Sequence, residues 1–477
     1  MPRPGVDVTV EGDVSQVGAN LDSSQGFYAG VTERGRFSVV PARSFTEYKE
    51  RYGGRSAASQ DMYDAARGFF EEGGTTLFVS PVYGVNAVEA SGNLGTMLAL
   101  KAKGGGTWGN SVKVSTIADT GLGSGSDAVL TVENPAGTVV ETSYPLGTVA
   151  DAVSWINTYS RIVSATAGSG GADADMTEPA TITLTAGAAG AAVAQADYAT
   201  ALAYFAYELG PGQVYIPGVS SVSILGELSD SIVATTRVGI WDLPDTNDPT
   251  ALATVMSQVS SLDGSGFMLA VGPRLAYPHE TAPAMIYVPG GGVEAGMIAR
   301  VDKFQDRSLV AAGSDGISRR ALGLKQVYDD ADREDLNELG CALYKVVNQQ
   351  VRMYGYRTSA GPSEKNWLFF QEARVVMQLA HELDAAMEEY VLKTIDGRKI
   401  LENKIGVALT GICLRYWRDN ALYGEAASDA FRVNTADFNN VTTAMAGEIH
   451  AQVKVKTSRV AEWININLVK TMLDRPF

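Results

Sequence analysis

Two stretches of strict apolar–polar alternation bracket this chain. Near its start, Val6-Asp7-Val8-Thr9-Val10-Glu11 places valines on one side of an extended backbone and polar groups on the other. Near its end, Ile464, Ile466 and Leu468 alternate with Asn465 and Asn467 within Trp463 to Lys470. A period of two predicts a strand with one buried face, and Pro2 and Pro4 resist helix just upstream of the first. A strand so near the terminus has no sequence neighbour to pair with before Gly26-Phe27-Tyr28-Ala29-Gly30-Val31, which leaves a distant segment or another chain as its partner. A further two-faced strand is predicted where Ile449, Ala451, Val453 and Val455 alternate with His450, Gln452, Lys454 and Lys456.

Between these ends the pattern is α/β. Ser44 is placed to cap a helix through Tyr48, and Asp61 to Glu72 has helical spacing with Tyr63, Ala66, Phe69 and Phe70 toward a core. Gly73-Gly74 stops that helix, since glycine reaches positive φ without strain. Thr75 to Val82 then reads as a buried strand. From 101 to 190 the composition turns to Gly, Ala, Ser and Thr with short β-prone segments at Ser111–Ser115, Ala128–Val132 and Ala180–Leu184. An inserted β domain facing solvent is expected, with 166 to 176 either part of it or linker. From 191 to 357, helices alternate with the apolar segments Gln213–Ile216, Val238–Trp241, Gly266–Val271 and Ala284–Val288, which predicts a mostly parallel sheet covered by helices. The helix opening at Ser363 carries Phe369, Ala373, Val376, Ala380, Leu383, Met387 and Tyr390 as one inward stripe, with Glu372, Arg374, Glu382 and Asp384 expected outside it.

Composition narrows the function. A chain of 477 residues, 45% of them apolar, can build three or four domains. No run of eighteen apolar residues offers a membrane span, and Met-Pro-Arg-Pro-Gly lacks a secretory core, so membrane insertion is not expected and cytoplasmic synthesis is. The formal charge of −16 argues against nucleic acid as a partner. Residues 391–477 hold 12 Lys+Arg against 9 Asp+Glu, and the preceding 390 hold 26 against 45. The basic end is either a face for an acidic partner or ordinary solvated charge. Cys341 and Cys413, set among apolar residues, read as reduced core residues.

Chemistry finds few footholds, and no cofactor or metal is expected. His381-Glu382 resembles the start of a zinc-protease helix, but Ala385 stands four residues on where histidine is needed. No phosphate-binding loop is present, and Gly121-Leu122-Gly123-Ser124-Gly125 falls in the β-rich region. A serine-hydrolase triad can be assembled from Asp242 or Asp245, His279 and Ser314, yet no strained elbow surrounds a serine and Tyr277-Pro278-His279-Glu280 is loop-like.

A series of segments in order along the chain resembles the contractile tail sheath family of bacteriophage tails and related injection systems. Pro4-Gly5-Val6 is similar to its N-terminal arm, and Gly26 to Gly35 to the strand and turn that follow. Phe69-Phe70-Glu71-Glu72-Gly73-Gly74 resembles its aromatic-aromatic-x-x-Gly-Gly helix end, and Trp108-Gly109-Asn110 the entry to its inserted β-sandwich. The strongest block runs from Ile286-Tyr287-Val288-Pro289 through Gly296-Met297-Ile298-Ala299-Arg300-Val301-Asp302 to Ala311-Ala312-Gly313, similar to the family's V-P, A-G-x-x-A-R-x-D and A-x-A-G. Tyr354 to Thr358, Trp417-Arg418 to Gly424 and Ala430 to Val433 resemble its G-x-R-T and its C-terminal core. The chain departs at Tyr277-Pro278-His279-Glu280, where the family carries a Y-P-W-like segment.

The resemblance implies an α/β multidomain protein. Its parts would be an arm at 1–25, an α/β segment at 26–100, an outward β-sandwich at 101–190, a subtilisin-like α/β domain without active site at 191–357, and a tube-facing α+β domain at 358–477 with extended terminal strands. Glu294-Ala295-Gly296-Met297 stands where that fold's nucleophile would be and has no hydroxyl. The implied function is a non-enzymatic sheath subunit that polymerises around an inner tube and contracts with energy stored at assembly. Its implied partners are copies of itself, the tube, the baseplate and terminator or collar proteins. Its place would be a virion tail or a cytoplasmic injection particle. Val6, Val8, Val10, Ile464, Ile466 and Leu468 would be exchanged between subunits, or pair within their own chain, the last two strands as a hairpin. Lys393, Arg398, Lys399, Lys404, Lys454 and Lys456 would face the tube, or simply the solvent.

Overall fold

The computed structural model describes residues 22–118, 127–134, 137–176, 179–304, 308–362, 364–462, 464 and 466. The chain divides into a larger unit, Met1–Glu389, and a smaller one, Tyr390–Phe477.

In the larger unit the apolar runs become the strands of a seven-stranded sheet. We label β1 Gly26–Gly30, helix α1 Gln60–Glu72, β2 Leu77–Pro81, β3 Gln213–Tyr215, β4 Val238–Asp242, β5 Met268–Gly272, helix α2 Gly290–Phe304, β6 Cys341–Val347, β7 Gln350–Met353 and helix α3 Phe370–Met387. The order across the sheet is β7-β6-β5-β4-β3-β1-β2. Every pairing is parallel except the β6–β7 hairpin at one edge. A parallel sheet is buried on both faces, so its strands are apolar throughout rather than alternating. Tyr28, Val79, Tyr215, Ile240 and Val271 enter one apolar cluster with α1 and α2, and Phe27, Phe78, Val214, Trp241 and Ala270 enter the other.

Local chemistry sets the ends of elements. Ser44 accepts the amide of Glu47 at 3.2 Å and starts the helix Phe45–Tyr52. Gly73, at φ 128°, closes α1, as its sequence predicts. The inserted region holds a three-stranded and a four-stranded antiparallel sheet around one shared apolar cluster. It also contains the helix Val149–Tyr159, capped by Thr148 and Asp151, which the Gly- and Ala-rich composition hides.

Two expectations need correction. Met285–Val288 is not in the parallel sheet but pairs antiparallel with Leu275–Pro278, and that strand pairs in turn with Gly323–Leu324. The helix predicted from Ser363 begins at Phe370, and its expected outer residues Glu372, Arg374 and Glu382 are buried. Val376, Ala380 and Leu383, expected innermost, are only half-buried. The stripe misleads because α3 is enclosed around most of its first three turns, so periodicity does not mark one wet side. Val6 to Glu11 and most of Trp463 to Lys470 lie outside the described residues; of the latter, Ile464 and Ile466 are 78% and 85% exposed and carry no strand assignment.

The smaller unit is built on helix α4, Ile400–Arg418, and a two-stranded antiparallel ribbon, β8 Phe431–Asn434 with β9 Gln452–Val455. Leu401, Ile405, Leu409, Ile412, Cys413 and Tyr416 form the buried stripe of α4. Asp396 accepts the amides of Ile400 and Leu401, both at 3.2 Å, at its start. The alternation predicted for 449–456 holds over Gln452–Val455, where Gln452 and Lys454 are exposed and Val453 and Val455 half-buried, but not at Ala451, which is exposed. Cys341 and Cys413 are both free and buried. No helix among the described residues is long and apolar enough to cross a membrane.

Candidate functional site

In open parallel sheets ligands collect beyond the carboxyl ends of the strands where strand order reverses, here between β1 and β3. That position is filled by the chain itself. Asp242, at the end of β4, accepts from the Tyr215 hydroxyl, the Gly218 amide at 2.8 Å and the Gly291 amide at 2.9 Å. Burial pushes its carboxyl above the usual range. Arg274 caps the same region with a 2.7 Å bond to Asp61.

The other members of the sequence-derived triad do not join it. Asp245 is engaged by Lys325 and Gln326. His279 turns Nδ1 back on its own loop, accepting the amides of Thr281 and Ala282 at 3.2 and 3.1 Å. Ser314 is exposed in the segment after α2. A cleft of about 250 Å³ beside His279 is lined by Arg55, Tyr63, Asp64, Arg67 and Glu280. Its charges are already paired, Arg55 with Asp64 at 2.9 Å and Glu280 with both Lys49 at 2.7 Å and Tyr63. His381 is packed rather than ligating: its ring stacks on Tyr207 at 4.4 Å and its Nε2 meets Thr236 O at 3.0 Å.

The residues that the chain does bring together belong to the segment Gly290 to Asp302. Gly292 and Gly296 let α2 touch the backbone of α1, since a Cβ at either would come within 2.6 Å of Ala65 Cα or Phe69 O. One turn on, Arg300 Nη1 reaches Glu72 Oε2 at 3.2 Å, and its Nη2 donates to Ile317 O at 2.9 Å. Glu72 is fully buried and also accepts from Tyr277 at 2.9 Å, Ser318 at 2.5 Å and the Arg319 amide at 2.9 Å. At the end of α2, Asp302 pairs with Arg374 of α3 and accepts the Ser23 hydroxyl at 2.9 Å. Each charged residue of the Gly296-x-x-Ala299-Arg300-x-Asp302 pattern therefore fastens α2 to a different part of the unit.

Glu294 lies one turn earlier. Its Oε2 is 3.4 Å from the Tyr344 hydroxyl, and Oε1 has no hydrogen-bond partner among the described residues. Complete burial pushes its pKa up to about 8 against the pull of Arg374 and Arg300, so the carboxyl is mostly neutral at pH 7.

Sequence reasoning quoted Glu72, Glu294 and Asp302 only as letters of a pattern. Two signals were available. Glu72 continues the stripe Tyr63, Ala66, Phe69 at a helical step, and Glu294 is the single acid in Val293 to Ala299. An acid on an apolar face must be paired or neutral.

The predicted basic residues all lie in the smaller unit, and Lys393, Arg398, Lys399, Lys404, Lys454 and Lys456 are exposed. Lys399 is 3.5 Å from Glu402. Arg432 stands directly across the ribbon from Lys454, a like-charge pair on one exposed face.

No family model matches this sequence, and no curated protein does. The fold has clear relatives among solved structures. A sheath tail protein from Listeria innocua is 13% identical with a TM-score of 0.62, covering 93% of this chain and 97% of its own. A protein of the anti-feeding prophage baseplate in its contracted state is 16% identical with a TM-score of 0.60, covering 99% of both chains. A sheath-complex protein of the extracellular contractile injection system PVC, in its contracted state, is 12% identical with a TM-score of 0.59, covering 100% of this chain and 99% of that one. From end to end, this chain has the fold of contractile sheath proteins.

Proposed function

We propose that this chain is the structural subunit of a contractile sheath, which polymerises helically around an inner tube and shortens to drive that tube through a target envelope. The observation that carries this is fold similarity over the whole length of the chain to proteins of contracted sheath assemblies. In keeping with it, the ligand crevice of the parallel sheet is filled by Asp242, Tyr215 and Arg274. We read no catalytic role, and no nucleic-acid or membrane partner. The parallel sheet, 191–357 with β1 and β2, corresponds in this reading to a subtilisin-like domain that has lost its site, and 101–190 to an outward β-sandwich.

Polymerisation needs links that survive subunit rotation, and strand addition supplies them because backbone hydrogen bonds hold while connecting segments bend. β1 has β2 on one edge and β3 on the other, so Val6, Val8 and Val10 cannot pair with it in their own chain. Among the described residues the β8–β9 ribbon has two strands in its sheet, which leaves it edges to which another strand can add. We infer that Val6 to Glu11 of one subunit and Ile464, Ile466 and Leu468 of another add to this ribbon in a third. Lys393, Arg398, Lys399, Lys404, Lys454 and Lys456 then meet an acidic tube, which would relieve the Arg432–Lys454 repulsion. Baseplate and terminator or collar proteins would close the two ends of the polymer, in a virion tail or an injection particle.

Electron microscopy of the purified protein tests the reading. Striated hollow cylinders are expected; closed shells, or discrete particles under every assembly condition, would overturn it.

A further inference from the structure

Asp302 holds both segments by which the larger unit leaves its own sheet. Its Oδ2 accepts the hydroxyl of Ser23, three residues before β1 begins and next to the undescribed N-terminal 21 residues. Its Oδ1 is paired with Arg374 in the second turn of α3, the helix that ends at Met387 just before the smaller unit opens at Tyr390. Both the Asp302 and Arg374 side chains are 3% exposed. Arg374 Nη1 also donates to the Tyr356 hydroxyl at 3.3 Å and to Leu309 O at 3.4 Å.

A buried carboxylate with two partners on opposite segments couples them physically. Neither partner can withdraw without leaving one oxygen of the charge unbonded in a dry site, which frees the carboxylate to turn and alters the geometry of its contact with the other. Of its neighbours, Ser24 bonds to the nearby Asp22 side chain, while Gln25 is tied to Leu209, Pro211 and Gln213 at the head of the sheet. Among the described residues, the Ser23–Asp302 bond is the contact of this segment that leads to α2 and, through Asp302, to α3.

We propose that Asp302 is a mechanical coupler, transmitting capture of the N-terminal arm by a neighbouring subunit to α3, the helix that precedes the smaller unit in the chain. This rests on the sheath reading for its purpose, but its test does not require assembly. Hydrogen exchange followed by mass spectrometry on the unassembled full chain compares wild type with Ser23→Ala, Ser23→Thr and Ser24→Ala. Ser23→Ala removes one hydroxyl and should leave the fold intact. The amides of Glu372 to Met377, far away in sequence, are expected to exchange about tenfold faster, the loss of one hydrogen bond to a buried charge. Ser23→Thr, which keeps the hydroxyl, should restore protection, and Ser24→Ala should leave α3 unchanged. Faster exchange confined to residues 22–26 in Ser23→Ala, or equal effects from Ser24→Ala, would overturn the coupling. Wild-type chain that never forms cylinders would refute the sheath reading while leaving the exchange result intact.

Discussion

Replacing Glu294 by glutamine should make the larger unit more stable, and increasingly so as pH rises. The carboxyl is pushed from an ordinary 4.5 up to about 8 because burial dominates the attraction of Arg374 and Arg300, with Tyr344 as its hydrogen-bond partner among the described residues and Glu72 adding repulsion. A carboxyl raised in the folded state binds a proton that the unfolded chain releases. Its contribution is therefore intact below the unfolded pKa and is lost as pH climbs toward the folded one. At about 1.4 kcal/mol per unit, the loss reaches about 3 kcal/mol at pH 7 and about 5 kcal/mol above pH 8. Glutamine has nearly the same shape, keeps an acceptor for Tyr344 and carries no proton to lose. Urea unfolding of the unassembled protein, followed by tryptophan fluorescence between about pH 5 and pH 9, should show wild type falling with the steeper slope. The two curves should converge near the acid end. Parallel curves, or a variant less stable than wild type at pH 8, would refute a neutral Glu294.

Glu72→Ala should lower stability by about 3–5 kcal/mol, since it strands Arg300 and several donors in the core, and a thermal melt reads this directly. Gly296→Ala should cost about 1–3 kcal/mol by pushing α2 off the Phe69 carbonyl. Gly226→Ala, in the helix Val222–Thr235 with open space beside it, should instead gain about 0.5–1 kcal/mol. Deleting residues 1 to 12 should leave a chain that melts like wild type but forms no cylinders, and cylinders from that variant would rule out arm exchange. Reversing Lys454 and Lys456 to glutamate should weaken tube binding and flatten its salt dependence; unchanged binding would return these lysines to the solvated surface.

The sequence displayed the parallel sheet well, because strands buried on both faces leave apolar runs that few other structures produce, as in Val238 to Trp241 and Gly266 to Val271. It displayed the α1 stop for a similar reason, since Gly73 occupies a backbone region that other residues enter only with strain. It failed at α3, where Arg374 is buried through Asp302 and Leu309, partners distant in sequence. Such burial cannot be read from a helix's own periodicity. The inserted helix Val149–Tyr159 was missed because alanine, threonine and valine in a Gly-rich stretch suit either state, and the Thr148–Asp151 cap is the only local sign. The Asp302 cluster was present only as a spacing, and its chemistry emerged when α2 brought Ser23 and Arg374 to the same carboxylate.

The position of β1 also governs how the molecule can be made. Its first neighbour, β2, leaves the ribosome about fifty residues after it, but its second, β3, follows some 190 residues after Gly26, beyond the whole inserted region. At about 5–20 residues per second that gap lasts on the order of 10–40 s. During it, the edge Gly-Phe-Tyr-Ala-Gly of a growing chain has no cover, and two nascent copies could join there out of register. The insert has its own apolar cluster and can fold inside that interval. A protein proposed to lend strands to its neighbours thus passes, at birth, through a stage in which the wrong strand is on offer, and slowing translation between residues 81 and 213 should raise the fraction lost to aggregates.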